Sequence, residues 1–530
     1  MSALTGTGHL VRLILRRDRA VLPLWVLLLA VLPVSYAASF ATLFPTAAER
    51  AAYATGTARS PSVVALLGPV YGDSIGALTA QRGGFLQVIV GLAALLTVIR
   101  HTRTEEEAGR RELLGATVLG RYADLTAALL ATYAASLLLG LLTAGGLAAT
   151  GLPAAGSLAY GLSVALVGVV FATVGGLAAQ LTETAGGARG IAVGVLGVTF
   201  ALRLVGDTAR DEWPSWLSPL GWAPRIRAYE GERWWVLALP VALTVLLAAV
   251  TYPVSARRDI GAGVLPSRRG PGRAGRVLSG PSGLAWRLHR GLLLGWAAGF
   301  GLLGATIGGA AEAAGRSVAG NAALEQVMAR LGGASGLAEA YLGASLGIAG
   351  LAAAGYGIQA ALRMRSEEAA GRVEPVLATG VRRSAWLASH LVFALLGPAV
   401  VLAVTGLAAG LAYGVSVDDV PGQLPRLLGA GLAQVPAAWL LTGLAVLLYG
   451  LLPRLSPTAW AVLAVCVLLG QLGAVLELSQ WLLDLSPFTH TPQVLRAGWS
   501  ATPLLTMTVL AGLFAATGLA AFRRRDVPTT

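Results

Sequence analysis

The chain has 530 residues, of which 55% are hydrophobic and only 12% are charged, and its mean hydropathy is +0.70. Soluble domains carry about 25% charged residues, so this composition excludes an ordinary soluble protein and indicates one that spans a membrane. The net charge of +13 comes from arginine without lysine. Most arginines lie in short segments between apolar runs, which argues against nucleic-acid binding.

Apolar stretches of about 20 residues, the length that crosses a bilayer, recur along the whole chain. Before the first stretch, residues 9–17 mix apolar and basic side chains. This pattern predicts either a helix on the cytoplasmic interface or a basic flank of the first span. The predicted spans of the first half are 21–42, 80–100, 122–149, 156–180, 185–206 and 233–255. Those of the second half are 290–312, 341–362, 384–414, 425–452, 457–476 and 499–522.

The fold class is therefore predicted to be an all-α polytopic membrane protein with about twelve transmembrane helices. Arginines cluster before the first span, between certain spans and at the C-terminal tail, so the positive-inside rule predicts that both termini are cytoplasmic. Residues 256–283 are rich in Arg, Gly, Pro and Ser, which is typical of a flexible cytoplasmic linker. This linker would join two six-span halves, residues 1–255 and 284–530.

A charged segment occurs twice in the chain. Residues 103–121 read RTEEEAGRRELLGATVLGR, and residues 365–383 read RSEEAAGRVEPVLATGVRR, at an offset of 262 (365 − 103) without a gap. An Arg-Arg-Asp triplet also recurs, at 257–259 and 524–526. Because these offsets are about half of the chain, they predict a tandem duplication into two parallel six-helix repeats.

Each charged segment has the composition of a short helix that docks on a partner. Opposite charges four residues apart favour a helix. Gly109 and Gly371 lie in mid-segment, where glycine costs about 1 kcal/mol relative to alanine, and their recurrence indicates a bend or a close backbone contact. The alternative is a solvated loop that sets topology by its charge. The expected pairs are Glu106 with Arg110, Glu107 with Arg111 and Glu368 with Arg372.

Two six-span halves, each with an E-x-x-G-R-x-E segment between its second and third spans, resemble the membrane subunits of ABC-2 type exporters. The whole chain is similar to the fused twelve-span form, the actinobacterial polyketide-antibiotic or multidrug export permeases. The resemblance implies that each segment is a coupling helix that docks on one copy of a separate ATP-binding subunit. The residues implied for coupling are Glu105, Glu106, Gly109, Arg110, Glu112, Leu113, Leu114, Glu367, Glu368, Gly371, Arg372, Glu374, Pro375 and Val376.

The second segment departs from the first at two positions. Val373 stands where the first segment has Arg111, and Pro375 stands where it has Leu113. Whether the two halves contact their ATP-binding subunits equally is therefore left open by the resemblance.

Motifs for nucleotide or metal binding are absent from the sequence. A chain without lysine cannot contain the phosphate-binding motif G-x-x-x-x-G-K-[ST], so no cofactor is expected in this chain, and ATP and magnesium are expected on the partner subunits. The chain is predicted to be a transport subunit and not an enzyme. The histidines are scattered without metal-ligand spacing: His9, His101, His289, His390 and His490.

Few ionisable residues interrupt the predicted spans, where such residues are costly and often functional. Arg203 and Asp207 are four residues apart and are expected to pair, either as a substrate contact or as a snorkelling pair at the outer interface. Five glutamines in or at the ends of spans are expected to contact substrate or to bond between helices. They are Gln87, Gln180, Gln359, Gln434 and Gln471.

The leading hypothesis is a multi-pass permease of the bacterial plasma membrane that exports hydrophobic or amphipathic, drug-like compounds. Its expected partners are two ATP-binding subunits, membrane lipid and the small-molecule substrate, with no nucleic acid. The alternative is an ion-coupled secondary multidrug carrier, which usually needs acidic or histidine side chains within its spans. A membrane enzyme or scaffold is the third class, for which the sequence offers no catalytic spacing.

Overall fold

The computed structural model describes residues 2–115, 118–208, 212–259, 261–265, 275, 280–316, 333–472, 479–492, 495 and 500–526. Within these ranges all regular secondary structure is helical. The chain divides into two compact units, Met1–Gly270 and Pro271–Thr530, and the boundary lies inside the predicted linker. Eleven stretches of the described helices are long and apolar enough to cross a membrane, so the chain is a multi-pass membrane protein.

The first unit is organised around α10, the most deeply buried of its long helices, which packs against α6, α9, α11 and α14. The helices of this unit are α1 (Thr7–Arg17), α2 (Val21–Leu43), α3 (Ala47–Ala58), α4 (Pro61–Leu67), α5 (Ile75–Arg82), α6 (Leu86–His101), α7 (Arg103–Glu107), α8 (Arg110–Gly115), α9 (Ala123–Ala149), α10 (Ala154–Leu181), α11 (Ala185–Thr208), α12 (Trp213–Trp216), α13 (Pro219–Arg225) and α14 (Ala238–Arg257). A 3-10 helix, Trp234–Leu237, precedes α14.

Small residues allow α9 and α10 to pack backbone to backbone. A Cβ added to Gly140 would collide with the carbonyl oxygen of Gly161, and a Cβ on Gly161 would collide with that of Gly140. Gly146 lies against Val34 of α2 in a similar way. The glycine-rich run 140–146 is therefore a packing surface between membrane helices.

The second unit contains its own long helices, of which those around α16 and α20 are the most buried. Its helices are α15 (Pro281–Arg316), α16 (Gly333–Ala369), α17 (Val373–Ala378), α18 (Arg383–Ser416), α19 (Val420–Leu432), α20 (Val435–Leu451), α21 (Thr458–Leu472), α22 (Gln480–Leu483) and α23 (Ala501–Arg524), with a 3-10 helix at Pro487–His490. Glycine again permits close packing, because a Cβ on Gly450 of α20 would collide with the backbone of Gly518 in α23.

One predicted span is corrected by the structure. The span predicted at 80–100 begins only at Leu86, because Gly83 and Gly84 end α5 and turn the chain before α6. The span predicted at 457–476 is described from Thr458 to Leu472, as α21, and residues 473–476 lie outside the described part.

The predicted linker is also shorter than expected. Helix α14 continues to Arg257 and α15 begins at Pro281, so both ends of the range 256–283 are helical. Residues 261–265 are not helical, but Val264 and Leu265 donate their backbone N–H groups to the carbonyl oxygens of Gln180 and Leu181 at 3.3 and 2.8 Å. This part of the linker is therefore attached to the end of α10.

Candidate functional site: the two charged segments

The first charged segment, residues 103–121, bends at Gly109. Helix α7 ends before this residue and α8 follows it, and the φ angle of Gly109 is 70°, in the left-handed region that glycine adopts readily. The N–H of Gly109 donates to the carbonyl oxygen of Glu106 at 3.0 Å, which closes α7. A separate break lies at Thr102, between α6 and α7, where φ is −118° and ψ is −86°.

The second charged segment, residues 365–383, bends at Gly371, whose φ angle is 68°. The N–H of Gly371 donates to the carbonyl oxygen of Glu368 at 3.0 Å, as Gly109 does to Glu106. Helix α16, however, continues without interruption from its span to Ala369. The bend predicted from the recurring glycine is confirmed in both segments.

Each bend brings together a glutamate and an arginine that are five residues apart. Arg110 donates to the carboxylate of Glu105 at 2.6 and 2.9 Å, and Arg372 donates to that of Glu367 at 2.7 and 3.3 Å. The hydrogen bond to Glu105 raises the pKa of the Arg110 guanidinium above its ordinary value. The same pair therefore recurs at equivalent positions of the two segments.

The predicted spacing of these pairs was wrong. In a continuous helix, side chains at positions i and i+4 lie together. The left-handed glycine interrupts the helix, and the side chains at positions i and i+5 meet instead. Arg111, for example, binds Glu106 at 3.1 Å. The incorrect pairs are Glu106 with Arg110, Glu107 with Arg111 and Glu368 with Arg372.

The carboxylate of Glu106 is the centre of a buried network. Arg258, the second arginine of the triplet after α14, donates to both of its oxygens at 2.6 and 2.8 Å. The backbone N–H of Gly261 donates at 2.6 Å, and Arg111 and Arg103 approach at 3.1 and 3.3 Å. Because the side chains of Glu106 and Arg103 are fully shielded from solvent, these charges interact strongly and depend on each other.

This network also includes the end of α10. Arg103 donates to the carbonyl oxygens of Ala179 and Ala262 at 3.0 and 2.7 Å, and Arg258 donates to the side-chain oxygen of Gln180 at 2.7 Å. Gln180 thus bonds between structural elements, as one of its two predicted roles required. The first segment, the end of α10 and the residues after α14 are joined into one polar cluster.

The second segment has an equivalent ion pair. Glu368, which corresponds to Glu106, accepts a hydrogen bond from Arg525 at 2.7 Å and another from the Tyr449 hydroxyl at 2.7 Å. The guanidinium of Arg525 also lies over the rings of Tyr449 and Phe522, at 5.2 and 5.3 Å from their centroids. In each unit, a glutamate of the charged segment therefore binds the second arginine of the triplet that follows the last span.

Sequence reasoning identified both partners of this ion pair without recognising that they meet. The glutamate and the arginine of the first unit are 152 residues apart, and those of the second unit are 157 apart. The available signal was that adjacent glutamates in the charged segment and adjacent arginines in the triplet both recur in the two halves, at nearly the same offset.

Further contacts are found around the first segment. Arg17, at the end of α1, binds Glu105 at 2.7 Å, and the neighbouring Asp18 binds His101 at 2.6 Å. Helix α1 is thus joined to the end of α6 and to the charged segment. This arrangement confirms a helix within residues 9–17 and gives it a structural role.

Glu107 connects the first segment to α11. Its carboxylate accepts the backbone N–H of Ala185, the first residue of α11, at 2.8 Å. A carboxylate at this position satisfies an N–H group that has no partner within its own helix and interacts favourably with the helix dipole. The equivalent residue of the second segment is Ala369, which has no carboxylate.

The outer side of each segment exposes one more glutamate. Glu112 and Glu374 are both exposed, and no ion pair to either is found among the described residues. The side chains of Leu113 and Leu114, which were also predicted to take part in coupling, lie outside the described residues. The two exposed carboxylates are therefore accessible to a partner.

The second segment also borders an open groove. Pro375 and Val376, both predicted to take part in coupling, line it together with Pro281 and Leu284 at the start of α15. The groove has a volume of about 390 Å³. This surface is large enough to accept side chains of another protein.

The residues predicted to line a substrate path are divided between the two units, with Arg203, Asp207 and Gln87 in the first and Gln359, Gln434 and Gln471 in the second. Arg203 and Asp207 do pair, at 3.1 Å, and both side chains are fully buried inside the first unit. Asp207 also accepts hydrogen bonds from Arg225 at 3.0 Å and from Ser215 at 2.7 Å. The carboxylate balances two arginines inside the first unit.

The predicted glutamines differ in their environment. Gln87 is buried and lines a small cavity of the first unit. Gln434 is buried beside Gly350, whereas Gln359 is exposed and accepts a hydrogen bond from Trp296 at 3.2 Å. The side chain of Gln471 lies outside the described residues.

Two of the scattered histidines meet in the second unit. The Nε2 atom of His289 lies 2.9 Å from Nδ1 of His390, although the two residues are 101 positions apart in the chain. No group of three or more His, Cys, Asp or Glu side chains within the described ranges is placed to hold a metal ion.

Comparison with known proteins gives two matches. Residues 278–523 match the protein family described as the multidrug efflux system permease Rv1217c, C-terminal domain. Over 527 residues the chain is 46% identical to the multidrug efflux system permease protein Rv1217c of Mycobacterium tuberculosis strain H37Rv. That alignment covers 99% of this chain and 96% of the mycobacterial protein.

Proposed function

The chain belongs to the family of the multidrug efflux system permease Rv1217c, and on this premise we propose that it is the permease subunit of an ATP-driven, ABC-2 type exporter. Its substrates are hydrophobic or amphipathic, drug-like compounds that it moves out of a bacterial cell. ATP is hydrolysed with magnesium on two copies of a separate ATP-binding subunit, one docked on each charged segment.

The observation that carries this proposal is the ion pair between each charged segment and the end of the last span of its unit. Glu106 binds Arg258 at 2.6 Å, and Glu368 binds Arg525 at 2.7 Å. A subunit that pushes on either segment therefore acts on a membrane span through a short, largely buried electrostatic contact. Such a contact is what the transfer of movement from an ATPase to a transport pathway requires.

The outer surfaces of the segments are suited to docking. Glu112 and Glu374 are exposed carboxylates, and Arg110 and Arg372 lie beside them with about half of their side chains exposed. In each segment the glutamate that binds the residues after the last span precedes the glycine, and the exposed glutamate follows it. The partner thus meets a preformed surface, which lowers the entropic cost of association.

The test is the charge reversal of the exposed carboxylates, Glu112→Arg with Glu374→Arg. Because both side chains lie on the surface, the change in unfolding free energy should stay within about 0.5 kcal/mol. Co-purification of the ATP-binding subunit and ATP-driven efflux should both fall at least tenfold. Reversal of the exposed Asp73, which lies before α5 and far along the chain from either segment, is the matched control and should leave both unchanged.

Two outcomes would contradict the proposal. Unchanged ATP-driven efflux in the double variant would show that the segments do not couple the chain to an ATPase. Loss of efflux on collapse of the proton gradient, with ATP held constant, would instead identify an ion-coupled secondary carrier.

A further inference from the structure

A small cavity lies within the first unit, between α5, the N-terminal parts of α6 and α10, and residues 223–228. Its volume is about 30 Å³, which is room for about two water molecules. Its walls include alanine and proline together with five larger polar or aromatic side chains. These five are Tyr71, Gln81, Gln87, Tyr160 and Arg227.

Four polar atoms of these side chains have no hydrogen-bond partner among the described residues, although they are shielded from solvent. They are the side-chain oxygens of Gln81 and Gln87, the hydroxyl of Tyr160 and the Nε of Arg227. Gln81, Gln87 and Tyr160 are exposed by only 5%, 2% and 2%. A buried polar atom without a partner is costly, and four around one cavity indicate a place built for a polar occupant.

Gln81 and Tyr160 are each held in position. The amide nitrogen of Gln81 donates to the carbonyl oxygen of Gly68 at 3.2 Å, so its oxygen is the free end. A Cβ on Gly83 would collide with the Tyr160 hydroxyl, so this position accommodates only glycine. Burial of these groups is therefore a specific feature of the packing.

The backbone that carries Arg227, the last of the five side chains, is strained. Arg227 and Tyr229 have φ angles of 51° and 71°, in the left-handed region that non-glycine residues rarely adopt. The ring of Tyr229 occupies a slot that Gly76 and Gly156 leave open, and its hydroxyl lies 3.0 Å from Ser157 Oγ. Backbone strain of this kind is found at ligand sites, where the surrounding packing maintains it.

The hydrogen-bonding groups around the cavity suit a ligand group that both donates and accepts hydrogen bonds. The guanidinium of Arg227 lies over the Tyr71 ring at 4.7 Å, and burial raises the pKa of the Tyr71 hydroxyl, so that this group stays protonated. Outside the cavity lining, Arg203 and Arg225 both pair with the carboxylate of Asp207. The polar atoms without a hydrogen-bond partner among the described residues are two amide oxygens that accept, one N–H that donates and one hydroxyl that can do either.

We propose that this cavity binds the neutral hydrogen-bonding end of the exported compound, a hydroxyl, carbonyl or amide group that both donates and accepts. Trapped water can make the same hydrogen bonds, and the test distinguishes a bound compound from water alone. The inference rests on the proposed function, because it takes the ligand to be the transported compound.

The first test uses the full-length protein in lipid nanodiscs with two fluorescent probes, doxorubicin and daunorubicin, which differ by one hydroxyl group. ATP-driven efflux of the probes by the unmodified protein with its ATP-binding subunit is established first. In Gln87→Leu, the Kd for doxorubicin, measured by fluorescence anisotropy, should rise about five- to tenfold. The Kd for daunorubicin should rise less.

The matched control is Thr143→Val, which removes a buried side-chain oxygen of the first unit that also lacks a partner among the described residues but does not line the cavity. It should leave both Kd values unchanged. The midpoint of thermal unfolding should stay equal or rise in both variants, because each removes an unpaired buried polar atom. A loss of binding together with a large fall in that midpoint would mean a purely structural role for Gln87 and would overturn the proposal.

A second variant, Ala80→Val, fills the cavity without removing a polar group, because Ala80 forms part of its wall. It should raise the Kd for doxorubicin at least as much as Gln87→Leu does. Unchanged Kd values in both variants, with efflux intact, would show that the cavity holds only water. Absence of efflux of either probe by the unmodified protein would count against the proposed function itself.

Discussion

The two charged segments carry the same glutamate–arginine pairs on different supports. In the first unit, α6 ends at His101 and the segment begins as a separate short helix, whereas in the second unit α16 continues through its span to Ala369. The first segment is held by residues outside it, Arg17, Ala185 and Arg258, and the second is held mainly as an extension of its own span.

This difference shows which features of the segment depend on its support. The glycine bend and the ion pair to the residues after the last span are present in both units. The contacts with α1 and α11 are described only for the first segment. We therefore expect coupling to depend on the shared features, and local stability to depend on those that differ.

The largest expected effect is a difference in stability between variants of Glu106 and Glu368, the glutamates that bind the residues after the last span of each unit. Glu106→Gln removes the carboxylate shared by Arg103, Arg111 and Arg258 and should lower the free energy of unfolding by about 3–5 kcal/mol. Glu368→Gln leaves one partly exposed arginine and should cost less. Thermal unfolding of the purified variants measures both, and equal losses would contradict the comparison.

An intermediate effect is expected at the shared bends. Gly109→Ala and Gly371→Ala should each lower the free energy of unfolding by about 1–2 kcal/mol. The two losses should be similar, because both residues have left-handed φ angles near 70°. Gly145→Ala is the control, since this helical glycine has open space around it and should tolerate a Cβ. Chemical denaturation can compare the three variants, and a twofold difference between the two bends would indicate that their supports matter here as well.

The smallest expected effect concerns helix α1. Arg17→Ala removes a partly exposed ion pair, which is worth less than about 1 kcal/mol. Amide hydrogen exchange should nevertheless increase around Glu105 and stay constant around Glu367. An equal increase at both places, or none at either, would show that α1 does not support the first segment.

The parts of the fold that sequence predicted are those with a local cause. Long apolar runs predicted membrane helices because their length matches the bilayer, and a repeated glycine predicted a bend because other residues rarely adopt its φ angle. The break between α5 and α6, inside the span predicted at 80–100, was missed, although its signal, Gly83-Gly84, is present in the sequence.

The candidate site was predicted only in part, because its decisive contacts join residues that are far apart in the chain. Glu106 and Glu368 were identified, but their partners Arg258 and Arg525 depend on how the last span packs. Gln87 was identified as a polar residue in a span, whereas Tyr160 and Gln81 were missed. No periodicity marks these two, and their importance arises from the unpaired atoms that packing leaves around one cavity.

Three helices of the first unit, α6, α10 and α11, have one end beside the cavity wall or the Arg203 cluster and the other beside the charged segment. From Tyr160 to Gln180, α10 spans about 30 Å at 1.5 Å per residue. Where these helices move as one body, a compound at one end and a protein at the other share a coupling free energy. Thermodynamic reciprocity then requires that each change the affinity of the other by the same factor, so the compound itself would regulate recruitment of the subunit that expels it.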